Sequence, residues 1–231
     1  MILGGYQKLT LIDYPGKLAT TVFTVGCNFR CPFCHNPELV DSRQFTVNSN
    51  LEKEFFKFLK SRKGKLDGVC VTGGEPLIQP DIFEFIKKIK KLGFLVKLDT
   101  NGSRPDALKK IIDGKIVDYI AMDIKNSKKR YSETCGYKTD IKRLELSVDL
   151  IRNSGIDYEF RTTVVPGIHA EKDFADIVEW ISGAKNYYLQ KYREIKILDP
   201  RLKRKTKGKK IDLEKIKSKI EKNFGKVGIR R

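Results

Sequence analysis

Short apolar, β-branched segments alternate with amphipathic helical segments along most of this chain, and this alternation limits its possible folds more than any other feature. The strand-like segments are residues 18–25, 68–72, 94–98, 117–122, 158–165 and 186–190. Helical periodicity marks residues 51–63, 82–92, 105–112, 140–153, 174–181 and 213–224. Strands joined by helical crossovers pair in parallel, with right-handed connections. The sequence therefore predicts an α/β fold around a parallel sheet.

The strand-like segments are apolar on both faces, which is typical of a sheet covered by helices. Six such units are fewer than the eight of a closed (β/α)8 barrel, so we expect a partial open (β/α)6 barrel, with a doubly wound sheet as the alternative. Residues 1–198 would form this domain, beginning with an irregular segment or small hairpin over residues 1–18. Residues 199–231 would add a basic loop and a C-terminal helix.

A loop rich in cysteine follows the first predicted strand. Cys27, Cys31 and Cys34 have C-x3-C-x2-C spacing, which places three soft sulfur donors in one loop. Such donors suit an iron–sulfur cluster or zinc. A four-iron cluster held by three cysteines keeps one iron open to another ligand. Zinc is the weaker interpretation because structural zinc sites bring ligands in two separated pairs, whereas Cys70 and Cys135 have no C-x2-C partner.

Polar motifs follow the later strands as well. Gly73-Gly74-Glu75-Pro76 ends the second predicted strand. The adjacent glycines allow the backbone to approach a ligand closely, and the Glu75 carboxylate suits an ammonium group. In a partial barrel these strand ends meet at one rim, where we expect the functional site.

The cysteine motif, with Phe33 before its last cysteine, and the Gly-Gly-Glu turn at 73–75 resemble the signatures of the radical S-adenosylmethionine (SAM) enzymes. Segments 99–102, 122–125 and 161–167 resemble strand-end motifs of the glycyl-radical-enzyme activases within that superfamily. Segments 4–17 and 31–39 resemble most the anaerobic ribonucleoside-triphosphate reductase activating proteins. The resemblance covers about residues 4–200 and leaves the tail unexplained.

The resemblance implies a [4Fe–4S] cluster held by Cys27, Cys31 and Cys34, with SAM chelating the fourth iron. The cofactor-binding residues that it implies are Phe33, Gly73, Gly74, Glu75, Asp99, Thr100, Asn101, Asp123, Lys125, Arg161 and Thr163. SAM carries an ammonium group that suits carboxylates and a carboxylate that suits Lys or Arg.

The resemblance also implies where these motifs contact SAM and what the enzyme does. Residues 73–75 would contact the amino group, 99–100 the methionyl end, 123–125 the ribose and carboxylate, and 161–163 the cofactor trough. The implied activity is reductive cleavage of SAM and formation of a glycyl radical on a partner such as anaerobic ribonucleotide reductase. An electron donor such as flavodoxin or ferredoxin would reduce the cluster.

The net charge of +18 is concentrated near the end of the chain, because residues 191–231 hold 17 Lys or Arg and 5 Asp or Glu. An acidic protein or a nucleic acid would be attracted to such a tail. We favour a solvated loop and helix, since the tail lacks a nucleic-acid-binding motif with interleaved aromatic residues.

Two other functions remain open from the sequence: a radical SAM enzyme that modifies a small molecule or an RNA base, and a zinc- or cluster-stabilised nucleic-acid-binding module. The five cysteines do not suggest a disulfide framework, and no apolar run reaches the ~18 residues of a membrane span. We therefore expect a cytoplasmic protein. Cys70 is expected to be a packed thiol, Cys135 a loop residue, and His169 a hydrogen-bonding loop residue.

Overall fold

Eight strands form one sheet in the computed structural model, which describes residues 1–230, and they follow one another in chain order. They are β1 (Leu3–Thr10), β2 (Ala19–Thr24), β3 (Gly68–Gly73), β4 (Leu95–Thr100), β5 (Tyr119–Asp123), β6 (Asp157–Val164), β7 (Asn186–Lys191) and β8 (Lys226–Arg230). Strand β1 is antiparallel to β2, and every other neighbouring pair is parallel. Strands β1 and β8 are the sheet's two edges, so the sheet remains open.

Helices follow the strands and cover the outer face of the sheet. They are α1 (Leu51–Ser61), α2 (Ile82–Lys91), α3 (Pro105–Asp113), α4 (Tyr131–Cys135), α5 (Ile141–Arg152), α6 (Glu171–Ile181), α7 (Leu202–Thr206) and α8 (Leu213–Ile220). The helices bury apolar side chains such as Phe55, Ile86 and Leu108 in the core. No helix within residues 1–230 is long and apolar enough to span a bilayer.

The predicted partial (β/α)6 barrel is confirmed: strands β2 to β7 and their helices are its six units. The structure adds β1, which forms a hairpin with β2, and β8, which pairs with β7.

One prediction for the C-terminal segment is wrong, and another is incomplete. Residues 199–210 were expected to be a loop, but they contain α7, because Leu202 packs in the core and is 2% exposed. The last helix was expected to reach Phe224: α8 ends at Ile220, a 3₁₀ turn over Glu221–Asn223 brings the chain to Phe224, and there it turns into β8, which was not predicted. Gly225 permits this turn, since a side chain there would crowd the carbonyl oxygen of Lys185.

The inner face of the sheet carries polar side chains, so the expectation that the strands are apolar on both faces is wrong. Side chains alternate along each strand, and every second one faces the interior of the barrel. In β4, Val96 and Leu98 are buried in the apolar core, whereas Lys97 and Asp99 form an ion pair with each other. In β6, Glu159 and Arg161 occupy the alternate positions and also make ion pairs. The open barrel therefore encloses charged side chains that lead up to the rim where the strands end.

Candidate active site

A cavity of about 420 Å³ lies at the carboxyl ends of the strands. Every site residue predicted from the sequence lines it: Cys27, Cys31, Phe33, Cys34, Gly73, Gly74, Glu75, Asp99, Thr100, Asn101, Asp123, Lys125, Arg161 and Thr163. These residues come from five strands and the loops that follow them. Parallel pairing brings them together because all of these strands end at the same rim.

The cysteine loop, residues 25–40, follows β2, and its two ends lie side by side. The Gly26 N–H donates to the carbonyl of Leu39 at 2.7 Å, and the Cys27 N–H donates to that of Val40 at 3.0 Å, so the two ends of the loop are held together. A bond of 3.0 Å from the Cys34 N–H to the Cys31 carbonyl tightens the segment between the last two cysteines. The loop therefore presents three thiols to one cavity.

These thiols fit an iron–sulfur cluster by their chemistry, since three soft donors face one space. Burial raises the pKa of Cys27 to about 12 and also raises the pKa of Cys34, whereas a hydrogen bond from Cys135 lowers the pKa of Cys31. Metal binding must therefore displace protons from buried thiols. Among residues 1–230, no three His, Cys, Asp or Glu side chains converge as ligands of a single metal ion would.

The Gly-Gly-Glu turn lies directly against the base of the cysteine loop. The Gly74 N–H donates to the carbonyl of Thr24, and the Glu75 N–H donates to that of Gly26, both at 2.8 Å. A Cβ atom on Gly74 would overlap the Gly26 carbonyl oxygen, and Gly73 has a φ of +119°. Both positions therefore require glycine, which explains the paired glycines of the motif.

The Glu75 carboxylate links the ends of β3 and β4. It is 1% exposed and accepts hydrogen bonds from the Leu77 N–H at 3.1 Å, the Thr100 hydroxyl at 2.7 Å and the Asn101 N–H at 2.6 Å. Burial raises the pKa of Glu75 to about 7, although these hydrogen bonds partly offset that effect. A carboxylate has about four acceptor positions, so one remains for a donor in the cavity.

Alternating charges form one wall of the cavity. Asp99 lies between Lys97 and Arg161, and Asp123 lies between Arg161 and Lys125, with separations of 3.1 Å for Arg161–Asp99, 2.9 Å for Arg161–Asp123 and 2.8 Å for Lys125–Asp123. Burial alone would raise the pKa of both carboxyl groups, but the neighbouring cations more than offset it, and both pKa values lie below their usual range. The wall is therefore charged and held in place before any ligand enters.

Three residues that support this wall were not predicted. Lys97 is 1% exposed and pairs with Asp99. Glu159 is fully buried and accepts hydrogen bonds from Nη1 and Nη2 of Arg230, each at 2.6 Å. Lys97 and Glu159 left a signal in the sequence: each interrupts an apolar strand two positions before a charged site residue, so it shares that residue's face. Arg230 left none, because β8 itself was not predicted.

His169 positions two of the predicted residues. Its Nδ1 accepts a hydrogen bond of 3.0 Å from the Val165 N–H, so its proton is on Nε2, which donates to the Lys125 carbonyl at 2.8 Å. Its ring also lies edge-on to that of Phe33, with 6.5 Å between centroids. The prediction of a hydrogen-bonding residue is thus confirmed, and the structure places it beside the site.

The two cysteines outside the loop are both buried. Cys70 lies in β3 and has no exposed surface, which confirms the expected packed thiol. Cys135 was expected in a loop, but it is the last residue of α4, where its thiol lies beside that of Cys31 and its carbonyl accepts from the Arg30 N–H at 2.8 Å. Helix α4 therefore supports the cysteine loop from outside the cavity.

Comparison with known proteins agrees with this geometry. The family model described as the Radical SAM superfamily matches residues 21–181. The chain therefore belongs to the radical SAM superfamily of enzymes, whose members use SAM together with a [4Fe–4S] cluster.

Relatives of similar length carry more specific names. A protein of Methanocaldococcus jannaschii, provisionally named a glycyl-radical enzyme activating enzyme, is 32% identical over 236 residues, covering 99% of this chain and 95% of that protein. The pyruvate formate-lyase-activating enzyme of Clostridium pasteurianum is 28% identical over 213 residues, covering 85% of each chain.

A solved structure shares the fold at low sequence identity. Streptococcus suis SuiB, in a crystal structure with bound S-adenosylmethionine, superimposes with a TM-score of 0.67 at 15% identity. The match covers 90% of this chain and 49% of SuiB, so the chain spans about half the length of that protein.

Proposed function

We propose that this enzyme is a radical SAM activase that generates a glycyl radical on a partner enzyme such as anaerobic ribonucleotide reductase. The observation that carries the proposal is the single cavity in which three thiols, a Gly-Gly-Glu turn and a wall of alternating charges face one another. The names of the two relatives support the choice of a glycyl-radical enzyme as the substrate.

Cys27, Cys31 and Cys34 would hold the [4Fe–4S] cluster, and SAM would complete the coordination of the remaining iron. When bound together, the cluster and SAM supply one-electron cleavage of the SAM sulfonium, which yields methionine and a 5′-deoxyadenosyl radical able to take a hydrogen atom from a glycine. The chain's own side chains bind and orient the cofactor and keep water from the reacting atoms.

The residues around the cavity suit the polar groups of SAM. The remaining acceptor position of Glu75 suits the ammonium group, while Gly73 and Gly74 allow the backbone to approach it. Lys125 and Arg161 are cations that would attract the SAM carboxylate, and Asp123 between them accepts hydrogen bonds from both. Because these groups are already paired with one another, little reorganisation is needed when SAM binds.

Apolar side chains would keep the cluster dry. Phe29 and Phe33 line the cavity beside the cysteines, and each is no more than 4% exposed. A low-dielectric surrounding strengthens the interaction between the cluster and the charged cofactor. The electron would come from a donor such as flavodoxin or ferredoxin.

The test begins with anaerobically reconstituted protein and chemical photoreduction. SAM should be cleaved to methionine and 5′-deoxyadenosine, and protein lacking the Cys34 thiol (Cys34→Ala) should not cleave it. Intact SAM in the presence of a cluster shown by electron paramagnetic resonance to be reduced would refute the radical SAM assignment to this site.

The partner is tested separately by adding purified glycyl-radical enzymes. Anaerobic ribonucleotide reductase and pyruvate formate-lyase are each incubated with the reduced enzyme and SAM, and the glycyl radical is measured by its doublet signal. We expect the signal on the reductase. A signal only on pyruvate formate-lyase would replace the proposed partner, and cleavage of SAM without a signal on either would contradict the choice of these substrates.

A further inference from the structure

A basic segment wraps the outside of the cysteine loop. We name residues 193–207 the basic collar. The Asp199 N–H donates to the carbonyl of Pro32 at 3.0 Å, and His35 Nε2 donates to the carbonyl of Arg193 at 3.1 Å. Lys196 also forms an ion pair of 2.8 Å with Glu38. Three contacts thus join the collar to the loop that carries the cysteines.

The collar is anchored to the body of the protein. Leu202 and Thr206 of α7 are buried, and the Thr206 hydroxyl donates to Glu194 at 3.0 Å. The carbonyl of Lys205 approaches Gly167 so closely that a side chain at position 167 would crowd it. The exposed cations of α7 are therefore held at a defined place beside the cysteine loop.

A second groove of about 470 Å³ lies between the collar, α4 and the cysteine loop. Side chains alternate along the loop: Phe29, Cys31 and Phe33 line the active-site cavity, whereas Arg30 and Pro32 line the groove. The groove shares no lining residue with the cavity. It therefore reaches the cysteine loop on a side that SAM and a substrate in the cavity would leave free.

The collar carries a strong positive charge, with seven Lys or Arg and two Asp or Glu. Arg201 pairs with Asp199 and Lys196 pairs with Glu38. Within residues 1–230, the collar's other cations in and just after α7 form no ion pair: they are Lys203, Arg204, Lys205 and Lys207. These charges are exposed and attract an acidic protein surface.

We propose that the basic collar and its groove are the docking surface for an acidic one-electron carrier protein. This inference rests on the proposed function, because the cluster needs an electron before SAM is cleaved. The carrier would give up one electron and be oxidised, the cluster would gain it, and no bond would form or break in this step. Docking beside Arg30 and Pro32 places only the thin cysteine loop between carrier and cluster.

A nucleic acid would also be attracted to positive charge. However, residues 193–207 contain no aromatic side chain on which an exposed base could stack. The collar also contacts the cysteine loop directly. A position beside that loop matters for a protein that delivers electrons to the cluster, but not for a nucleic acid. The observations therefore favour the protein carrier.

The test uses two variants that each lose three positive charges. One replaces Lys203, Arg204 and Lys205 of α7 by Gln, and its control replaces Lys53, Lys57 and Lys60 of α1, which are likewise exposed. Helix α1 contacts β1, where Phe55 packs against Tyr6 with 5.4 Å between ring centroids, and none of the control lysines lines the groove. Reduction of the cluster is followed by stopped-flow absorbance with reduced flavodoxin and with reduced ferredoxin.

We expect the α7 variant to be reduced at least about tenfold more slowly at low ionic strength, and the difference to shrink as salt is added. The α1 control should be reduced at the wild-type rate. Equal rates for the α7 variant and wild type, equal slowing of both variants, or no reduction of wild type by either carrier would overturn the proposal. Salt-sensitive tRNA binding that only the α7 variant loses, with carrier rates unchanged, would assign the collar to nucleic acid instead.

SAM cleavage after chemical photoreduction is measured for all three proteins in parallel. It should be the same in each, because the substituted residues lie outside the active-site cavity. Failure of wild type in this measurement would count against the proposed function, whereas normal cleavage with unchanged carrier rates would count against the collar alone.

Discussion

At the scale of single residues, Gly74 determines how closely two functional loops can approach. Its missing side chain lets the Gly-Gly-Glu turn rest on the carbonyl of Gly26, one residue before the first cysteine. The cysteine loop and the predicted SAM-binding turn are therefore one rigid unit rather than two independent motifs.

Gly74→Ala is expected to separate the two loops, because the new Cβ overlaps backbone atoms that cannot rotate away. Overpacking of this kind costs about 1–3 kcal/mol, and here the displacement falls on the proposed cofactor site. We expect lower iron content after reconstitution and weaker SAM binding, measured by iron analysis and calorimetry. Gly64→Ala is the control, since Gly64 has a φ of +72° but no atom near its Cβ, and it should leave both quantities unchanged.

His169 shows how one uncharged ring can hold part of the cavity wall. Because Nδ1 accepts from the Val165 N–H, a proton on Nδ1 would place two donors against each other. Burial lowers the pKa of His169 for the same reason that it disfavours any buried charge.

The lowered pKa of His169 predicts a loss of stability in acid. Below the unfolded pKa of about 6.5 the unfolded chain binds a proton that the folded protein does not, so the free energy of unfolding falls as the pH falls. His169→Gln keeps a donor for the Lys125 carbonyl but does not titrate. When the pH is lowered from about 7.5 to about 5.5, the free energy of unfolding, measured with denaturant, should fall less for the variant than for wild type. Equal decreases would contradict this prediction.

At the scale of elements, the cysteine loop is held by segments far from it in sequence. Helix α4 contacts it through Cys135, and the basic collar contacts it through Asp199. Of the five cysteines, only three face the cavity, whereas Cys70 and Cys135 have no exposed surface.

Replacing Cys70 and Cys135 together by Ala should therefore leave the cluster in place. We expect about four iron and four sulfide ions per chain in this variant, as in wild type, because we propose the three loop cysteines as the cluster ligands. Two small cavities should lower the melting temperature without removing the cluster's absorption. Loss of that absorption in the folded variant, or its persistence after Cys27→Ala, would refute the ligand assignment.

Strand β8 also connects distant parts of the chain, because its Arg230 binds the buried Glu159 of β6. The Arg230 guanidinium binds both oxygens of this carboxylate and lies over the ring of Tyr188 at 3.7 Å, while the Tyr119 hydroxyl donates to the same carboxylate at 3.0 Å.

Arg230→Met should lower the free energy of unfolding by about 3–5 kcal/mol, because it leaves a buried carboxylate without its main partner. Lys226→Met in the same strand removes an exposed cation and should change stability little. Adding Glu159→Gln to Arg230→Met should recover part of the loss by removing the unpaired charge. Denaturant unfolding of the three variants measures this, and a cost for Arg230→Met no larger than that for Lys226→Met would contradict it.

At the scale of the whole molecule, periodicity predicted most of the architecture, because strands β2 to β7 are rich in apolar residues and their helices are amphipathic. The resemblance to the radical SAM activases indicated the site residues, and the parallel sheet explains why Asp99, Asp123 and Arg161 meet although they are far apart in sequence: their strands end at the same rim. Strand β8 could not be predicted, because five residues interrupted by Gly228 are too short a segment to stand out, and distant partners stabilise it: it pairs with β7, and its Arg230 binds Glu159. Lys97 and Glu159 interrupt the apolar pattern of their strands, but the sequence does not reveal the partners of Glu159, because Arg230 and Tyr119 reach it from β8 and β5.

The alternating side chains of the cysteine loop make it a wall one residue thick, with the cavity on one side and the groove on the other. A wall that thin offers little resistance to small uncharged molecules. Dioxygen dissolved in the groove would need to pass only the backbone beside Arg30 and Pro32 to reach the cysteine sulfurs. The arrangement that would give an electron carrier short access would thus also expose the proposed metal centre to oxidative damage, and the protein should hold its iron best where air is excluded.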